Sequence, residues 1–149
     1  MRKKYLIFIC FLIIFLLIGS KVLNIENILN EKDKKENGEI ISKQKINMRE
    51  YVKSNFEGEI LKKIQDNHLT KNEFLKIRYI SNGLEIAGYI IKPKKDGNYP
   101  VIIFNRGGNR EFGKIDNKTL IGFLSYYASK GYVIISSQYR EADGGEGKD

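Results

Sequence analysis

Val101-Ile102-Ile103-Phe104, then Asn105-Arg106-Gly107-Gly108, and further on Tyr132-Val133-Ile134-Ile135: these residues decide the fold. Both apolar runs lack the in-out alternation of a half-exposed strand and read as strands covered on both faces. Between them lies a Gly-rich loop over 105–113. A helix is then expected over 118–129, because Leu120, Ile121, Leu124 and Tyr127 or Ala128 recur at helical spacing. Asn117 is the candidate cap and Gly131 stands just past the end. A strand, one helix and a second strand form a crossover that sets the two strands parallel.

Upstream the period changes to two. Phe74-Leu75-Lys76-Ile77-Arg78-Tyr79-Ile80 alternates, Asn82-Gly83 is a strong hairpin turn, and Leu84 to Ile91 returns as a second strand stopped by Pro93. Earlier still, Tyr51, Val52, Phe56, Ile60, Leu61 and Ile64 fall three and four apart, with Gly58 dividing two short helices. His68, the sole histidine, follows among polar neighbours and reads as a solvent-facing loop residue. The fold class is therefore α/β: a partial sheet of an antiparallel hairpin plus parallel strands and one crossover helix, behind an N-terminal hydrophobic helix. One sheet helix and two short ones cannot cover both faces of such a sheet. At least one face or strand edge is expected to stay open.

Two segments resemble a known family. Tyr99-Pro100-Val101-Ile102-Ile103-Phe104-Asn105-Arg106-Gly107-Gly108-Asn109-Arg110 resembles the strand and loop before the first sheet helix of α/β hydrolases, nearest to serine peptidases of the prolyl oligopeptidase and acylaminoacyl peptidase type. Lys130-Gly131-Tyr132-Val133-Ile134-Ile135-Ser136-Ser137-Gln138-Tyr139-Arg140 is similar to that family's next strand, and Gly144-Gly145-Glu146-Gly147-Lys148-Asp149 to the Gly-rich segment after it. The resemblance covers 74–149. It implies that Asn105, Arg106, Gly107 and Gly108 form a loop beside the reacting carbonyl, where glycines let backbone donors approach an oxyanion. Many relatives begin this loop with histidine or tyrosine, and Asn105 or Arg106 stands there instead. The resemblance implies a peptide or ester substrate only where the rest of the fold is supplied.

The nucleophile elbow of that fold is Gly-x-Ser-x-Gly, with the acid and then the histidine later in the chain. No serine here fits. Ser129 comes nearest, with Gly131 two residues on but Tyr127 in the other place; His68 precedes the sheet, and Asp116 and Asp143 have no nucleophile to serve. No catalytic residue is therefore assigned, and no cofactor or metal is expected. Gly145-Glu146-Gly147 starts like a dinucleotide loop but has no third glycine or helix after it, and no Gly-Lys-Ser or Gly-Lys-Thr occurs. Two functions stay open. One is the N-terminal fragment of a secreted or membrane-anchored serine hydrolase, inactive alone. The other is a small membrane-tethered binding module on a partial hydrolase scaffold.

The start of the chain reads as an address. Arg2-Lys3-Lys4 precede an apolar run from Tyr5 to Ile18, and Gly19-Ser20-Lys21 follow. Residues 1–23 are a signal peptide or a membrane anchor, with the C-terminal part outside the cytoplasm. A polar stretch over 24–45 reads as a tether, 46–69 as the short helices and 70–149 as the hydrolase-like part. The formal charge is +8, from 26 basic and 18 acidic residues; without Arg2, Lys3, Lys4 and Lys21, 22 face 18. The remaining excess is dispersed, with no basic stripe, so no nucleic-acid partner is expected. With Cys10 as the only cysteine, no intramolecular disulfide can form.

Overall fold

A computed structural model describes Lys21, residues 35–108 and residues 112–148. The expected N-terminal hydrophobic helix, apart from Lys21, and the first half of the tether lie outside the described residues. Among the described residues, no helix is long and apolar enough to cross a membrane. The body from Glu36 onward holds strand β1 (Ile40–Lys45), helices α1 (Arg49–Asn55) and α2 (Gly58–Ile64), strands β2 (Asn72–Ser81), β3 (Leu84–Pro93) and β4 (Val101–Asn105), helix α3 over 117–129, and strand β5 (Val133–Ser137). They form one five-stranded sheet in the order β1-β2-β3-β5-β4.

The hairpin forms in the register its turn dictates, from Asn72 opposite Pro93 to Ser81 opposite Leu84. Asn82 and Gly83 both take positive φ, 51° and 78°, as a two-residue turn matched to strand twist requires. β4 and β5 pair in parallel, as the one-helix crossover predicts. β5 also pairs antiparallel with β3, so it lies between β3 and β4.

Three expectations need correction. The tether does not reach Lys45, because Ile40–Lys45 is a strand antiparallel to β2, with a bulge between Ile40 and Ser42. Its side chains are mostly exposed, so the backbone ladder orders it rather than apolar burial, and composition cannot show that. The helix cap is Asp116, not Asn117: its carboxylate accepts the Thr119 amide at 2.8 Å and the Thr119 hydroxyl at 2.9 Å. Nor are the apolar strands covered on both faces. β4 is an edge strand with Val101 56 % and Ile103 71 % exposed.

The coverage is one-sided. α1, α2 and α3 pack Val52, Ile64, Leu120, Ile121, Leu124 and Ala128 against Phe74, Tyr89, Ile91 and Ile134 of the sheet. A fully buried leucine or isoleucine contributes about 1.5–3 kcal/mol, so this layer holds the body together. The opposite face, where the alternation of β4 places Ile103, carries an apolar groove of about 380 Å³ lined by residues including Ile40, Ile90, Ile103 and Ile135. Among the described residues, no helix lies over this groove.

Candidate functional site

Ligands of open α/β sheets bind beyond the carboxyl ends of the parallel strands. Here those ends carry the loop after β4 and the loop after β5, with Asn105 opposite Ser137 in register. Asn105 is exposed at the mouth of the groove, beside Tyr79, Ser136 and Ser137. The Tyr79 hydroxyl lies 2.7 Å from Ser137 Oγ, bridging across β3.

Arg106 turns inward instead. It is buried, its guanidinium stacks 4.2 Å from the centre of the Tyr139 ring, and Nη1 donates to the Phe112 carbonyl at 3.3 Å. Tyr139 returns a hydrogen bond from its hydroxyl to the Arg106 carbonyl, 2.9 Å away. Next to it, the Gln138 side chain holds the backbone of Ile115 at two points. Nε2 donates to the Ile115 carbonyl at 2.8 Å, and Oε1 accepts the Ile115 amide at 3.2 Å. The two loops are thus locked to each other before α3 begins.

The glycines divide by sterics. A Cβ on Gly108, at φ +86°, would sit 2.3 Å from the Phe112 carbonyl oxygen, and one on Gly113 would sit 2.3 Å from that of Gly107. Loop closure alone requires glycine at both positions. Gly107 is exposed, and a Cβ there would meet nothing within 4 Å. Sterics within the described residues therefore account for Gly108 and not for Gly107. Asn109 and Arg110 lie outside the described residues.

The loop after β5 has its own anchor, which sequence reasoning missed. Asp143 accepts from the Tyr89 hydroxyl and pairs with Lys76 at 2.9 Å, while Arg78 donates to the carbonyls of Asp143 (3.2 Å) and Gly144. Burial opposes the Asp143 charge, yet Tyr89, Lys76 and Lys114 together hold its carboxyl below the usual range. Burial, with the bond to Asp143, pushes the Tyr89 phenol well up. Asp143 and Glu141 sit at positive φ, 57° and 64°, so this turn is held in place against backbone preference.

The largest departure from the sequence reading is His68. It is half-buried at the end of a wide, π-type turn (Gln65–Leu69), and its Nδ1 lies 2.6 Å from Ser125 Oγ. The Ser125 hydroxyl donates to the Ile121 carbonyl at 2.6 Å, so a neutral ring with its proton on Nδ1 completes the chain of bonds. Burial is the main cause that lowers the His68 pKa. This serine–histidine contact is not a nucleophile and its base: Ser125 is wholly buried and its proton is committed to a helix carbonyl. The contact ties the π-turn at Gln65–Leu69 to the end of a second one, Leu120–Leu124, within α3.

The remaining serines near the sheet are engaged locally. Ser129 Oγ donates to the Tyr126 carbonyl, Ser137 Oγ to that of Gln138, and buried Ser136 lies 3.4 Å from that of Tyr89. Asp116 caps α3 and Asp143 anchors its loop. Among the described residues no cluster of His, Cys, Asp and Glu could hold a metal ion.

No known family profile matches the chain. Over 73 residues it is 36 % identical to the uncharacterized peptidase YtmA of Bacillus subtilis (strain 168), covering 49 % of this chain and 27 % of that protein. The chain thus spans about a quarter of the length of this curated relative. Among solved structures, acetyl xylan esterase 1 of Thermoanaerobacterium sp. JW/SL YS485 is similar at a TM-score of 0.46 and 16 % identity, over 77 % of this chain and 29 % of that one. That likeness is too distant to carry a conclusion. Half of the chain is therefore similar in sequence to a peptidase-type hydrolase, and its described body is a mixed α/β sheet with helices.

Proposed function

We propose that this chain carries the N-terminal part of a serine hydrolase of the peptidase type, secreted or held at a membrane by residues 1–23, and that it is inactive by itself. The observation that carries the reading is the 36 % identity over 73 residues to a peptidase. The site is compatible with it in one respect: at the carboxyl ends of β4 and β5, Gly107 is exposed, and a Cβ there would meet no described atom within 4 Å, which leaves its backbone approachable. In this reading the Asn105–Gly108 backbone is the oxyanion side of a site whose nucleophile, acid and histidine come from elsewhere. A peptide or ester is then the substrate of the completed site.

The test uses the purified chain with ester and aminoacyl substrates and a serine-directed phosphonate. No turnover and no labelling are expected. Stoichiometric labelling of any serine, with Ser129, Ser136 and Ser137 the first to map, would overturn the inactivity. A reporter enzyme fused behind residue 35 tests the location. Activity confined to the cytoplasm would reverse the assigned topology.

A further inference from the structure

A smaller cavity, of about 170 Å³, lies at the other end of the strands from the Asn105–Gly108 loop. Asn72 stands opposite Pro93 and Ile91 opposite Ile134, so the cavity sits toward the amino ends of β4 and β5. Every residue lining it falls between Lys45 and Lys94, and β5 separates that part of the sheet from the β4 edge. Asn72 and Phe74, two apart on β2, share the helix-covered face and line it with Met48 and Leu69. Two features single it out. Asn72 is 2 % exposed, and neither atom of its amide is hydrogen-bonded to a described residue. A buried donor and a buried acceptor without partners both cost folding free energy, and asparagine is disfavoured in strands, so neither packing nor propensity accounts for it. The second feature is charge. Glu73 meets Lys45 at 2.5 Å and Lys92 at 3.4 Å, so its carboxylate is balanced. Arg49 and Lys94 line the cavity too, are exposed, and form no salt bridge with a described residue. The Lys94 ammonium donates to a neutral acceptor, the Leu69 carbonyl, at 2.9 Å.

We propose that this cavity binds a small carboxylate that carries an amide, the anion toward Arg49 and Lys94 and the amide toward Asn72. An amide matches Asn72 because it sets an acceptor and a donor side by side, the complement of the asparagine side chain. The terminal torsion of asparagine is broad, so a turn about it presents the buried amide to an occupant. The two unbalanced cations select an anion, and a carboxylate accepts charge-assisted hydrogen bonds from both arginine and lysine. Benzene fills a cavity of about 150 Å³, so this one encloses a group of roughly six heavy atoms. A short acylated amino acid such as N-acetylglycine fits that size and holds both groups. A site kept for such a ligand also explains why a residue that destabilises the empty protein stands at the start of β2.

The experiment titrates the full chain, in a neutral detergent, with N-acetylglycine, acetamide, acetate and inorganic phosphate, and follows the proton–nitrogen NMR spectrum. The Asn72 side-chain amide should shift saturably with N-acetylglycine, while that of Asn82 in the hairpin turn stays in place. Acetamide lacks the anion and acetate lacks the amide, so each should bind about ten-fold more weakly or worse. Arg49 is exposed, so Arg49→Gln should fold, and it should weaken N-acetylglycine by about ten-fold while leaving acetamide unchanged. Asn72→Val should melt at a higher temperature when empty, yet lose the preference for N-acetylglycine over acetate. A merely structural Asn72 would not produce that combination. Absence of a saturable shift would overturn the proposal, as would Asn72→Val binding N-acetylglycine like the wild type. Equal binding of phosphate would mean an adventitious ion only and overturn it too. Acetyl-triglycine binding as tightly as N-acetylglycine would show an open peptide groove and do the same. None of these readouts depends on hydrolysis, so the hydrolase reading stands or falls separately.

Discussion

Replacing Gln138 by leucine should loosen the joint between the loops after β4 and β5 at a calculable cost. The side chain is 2 % exposed and its amide satisfies both the N–H and the C=O of Ile115, itself 1 % exposed. Leucine nearly keeps the volume and removes both bonds. A buried backbone group left without a partner costs about 1–3 kcal/mol. Two such groups, with some relief as the loop shifts, give about 2–4 kcal/mol, or roughly 30- to 700-fold in the folding equilibrium at 1.4 kcal/mol per tenfold. Urea unfolding of the purified protein measures the loss. Hydrogen exchange at the Ile115 amide locates it, and protection there should fall more than at Ile134 in the middle of β5. A Gln138→Leu protein within about 0.5 kcal/mol of wild type, with the Ile115 amide still protected, would refute the reasoning. The two bonds would then not hold the loop.

Further tests follow from neighbouring features. Gly108→Ala forces a side chain into φ +86° and against the Phe112 carbonyl, so it should destabilise by at least about 1–2 kcal/mol from backbone conformation alone. Gly107→Ala, whose Cβ meets no described atom within 4 Å, should stay within about 0.5 kcal/mol; equal urea midpoints for the two variants would contradict the division. Burial lowers the His68 pKa in the folded protein, so its contribution to stability is complete above about pH 6.5 and is lost as pH falls from there through the folded value. The slope of stability against pH from 7.5 to 5.5 should flatten in His68→Gln, and an unchanged slope would remove His68 as its source. The Asn72 side chain is buried and neither amide atom is hydrogen-bonded to a described residue, so Asn72→Val should stabilise the protein by about 1 kcal/mol. A lower melting temperature in that variant would show that the amide has a partner worth keeping.

What could be read from the chain was local. The hairpin is written in seven alternating residues and one Asn-Gly turn. The crossover helix is written in the spacing of Leu120, Ile121, Leu124 and Ala128, all buried as that spacing implies. The sequence reading sets the cap one position late, at Asn117, because its neighbour Asp116 is an equally good capping residue and composition does not rank them. The chosen cap is the one whose carboxylate reaches the Thr119 amide. The Gly-rich loop after β4 was legible as a loop. That Arg106 would be buried on Tyr139 was not, because its partner stands 33 residues away on another strand's exit.

The sequence by itself therefore determined the hairpin, the crossover helix, their periods and the parallel sense of β4 and β5, and these 149 residues hold no Gly-x-Ser-x-Gly. Each of these depends on residues within a few positions, or one crossover, of each other. Only the tertiary structure decided that a polar stretch at Ile40–Lys45 is a strand, since backbone hydrogen bonds to β2 order it and any side chain can accompany them. It also set β5 between β3 and β4, joined His68 to Ser125 across 57 residues and left Val101 and Ile103 in the open. An apolar run shows that a strand can be covered; which surfaces are covered depends on how much chain packs over it, and here all the described helices lie on one face.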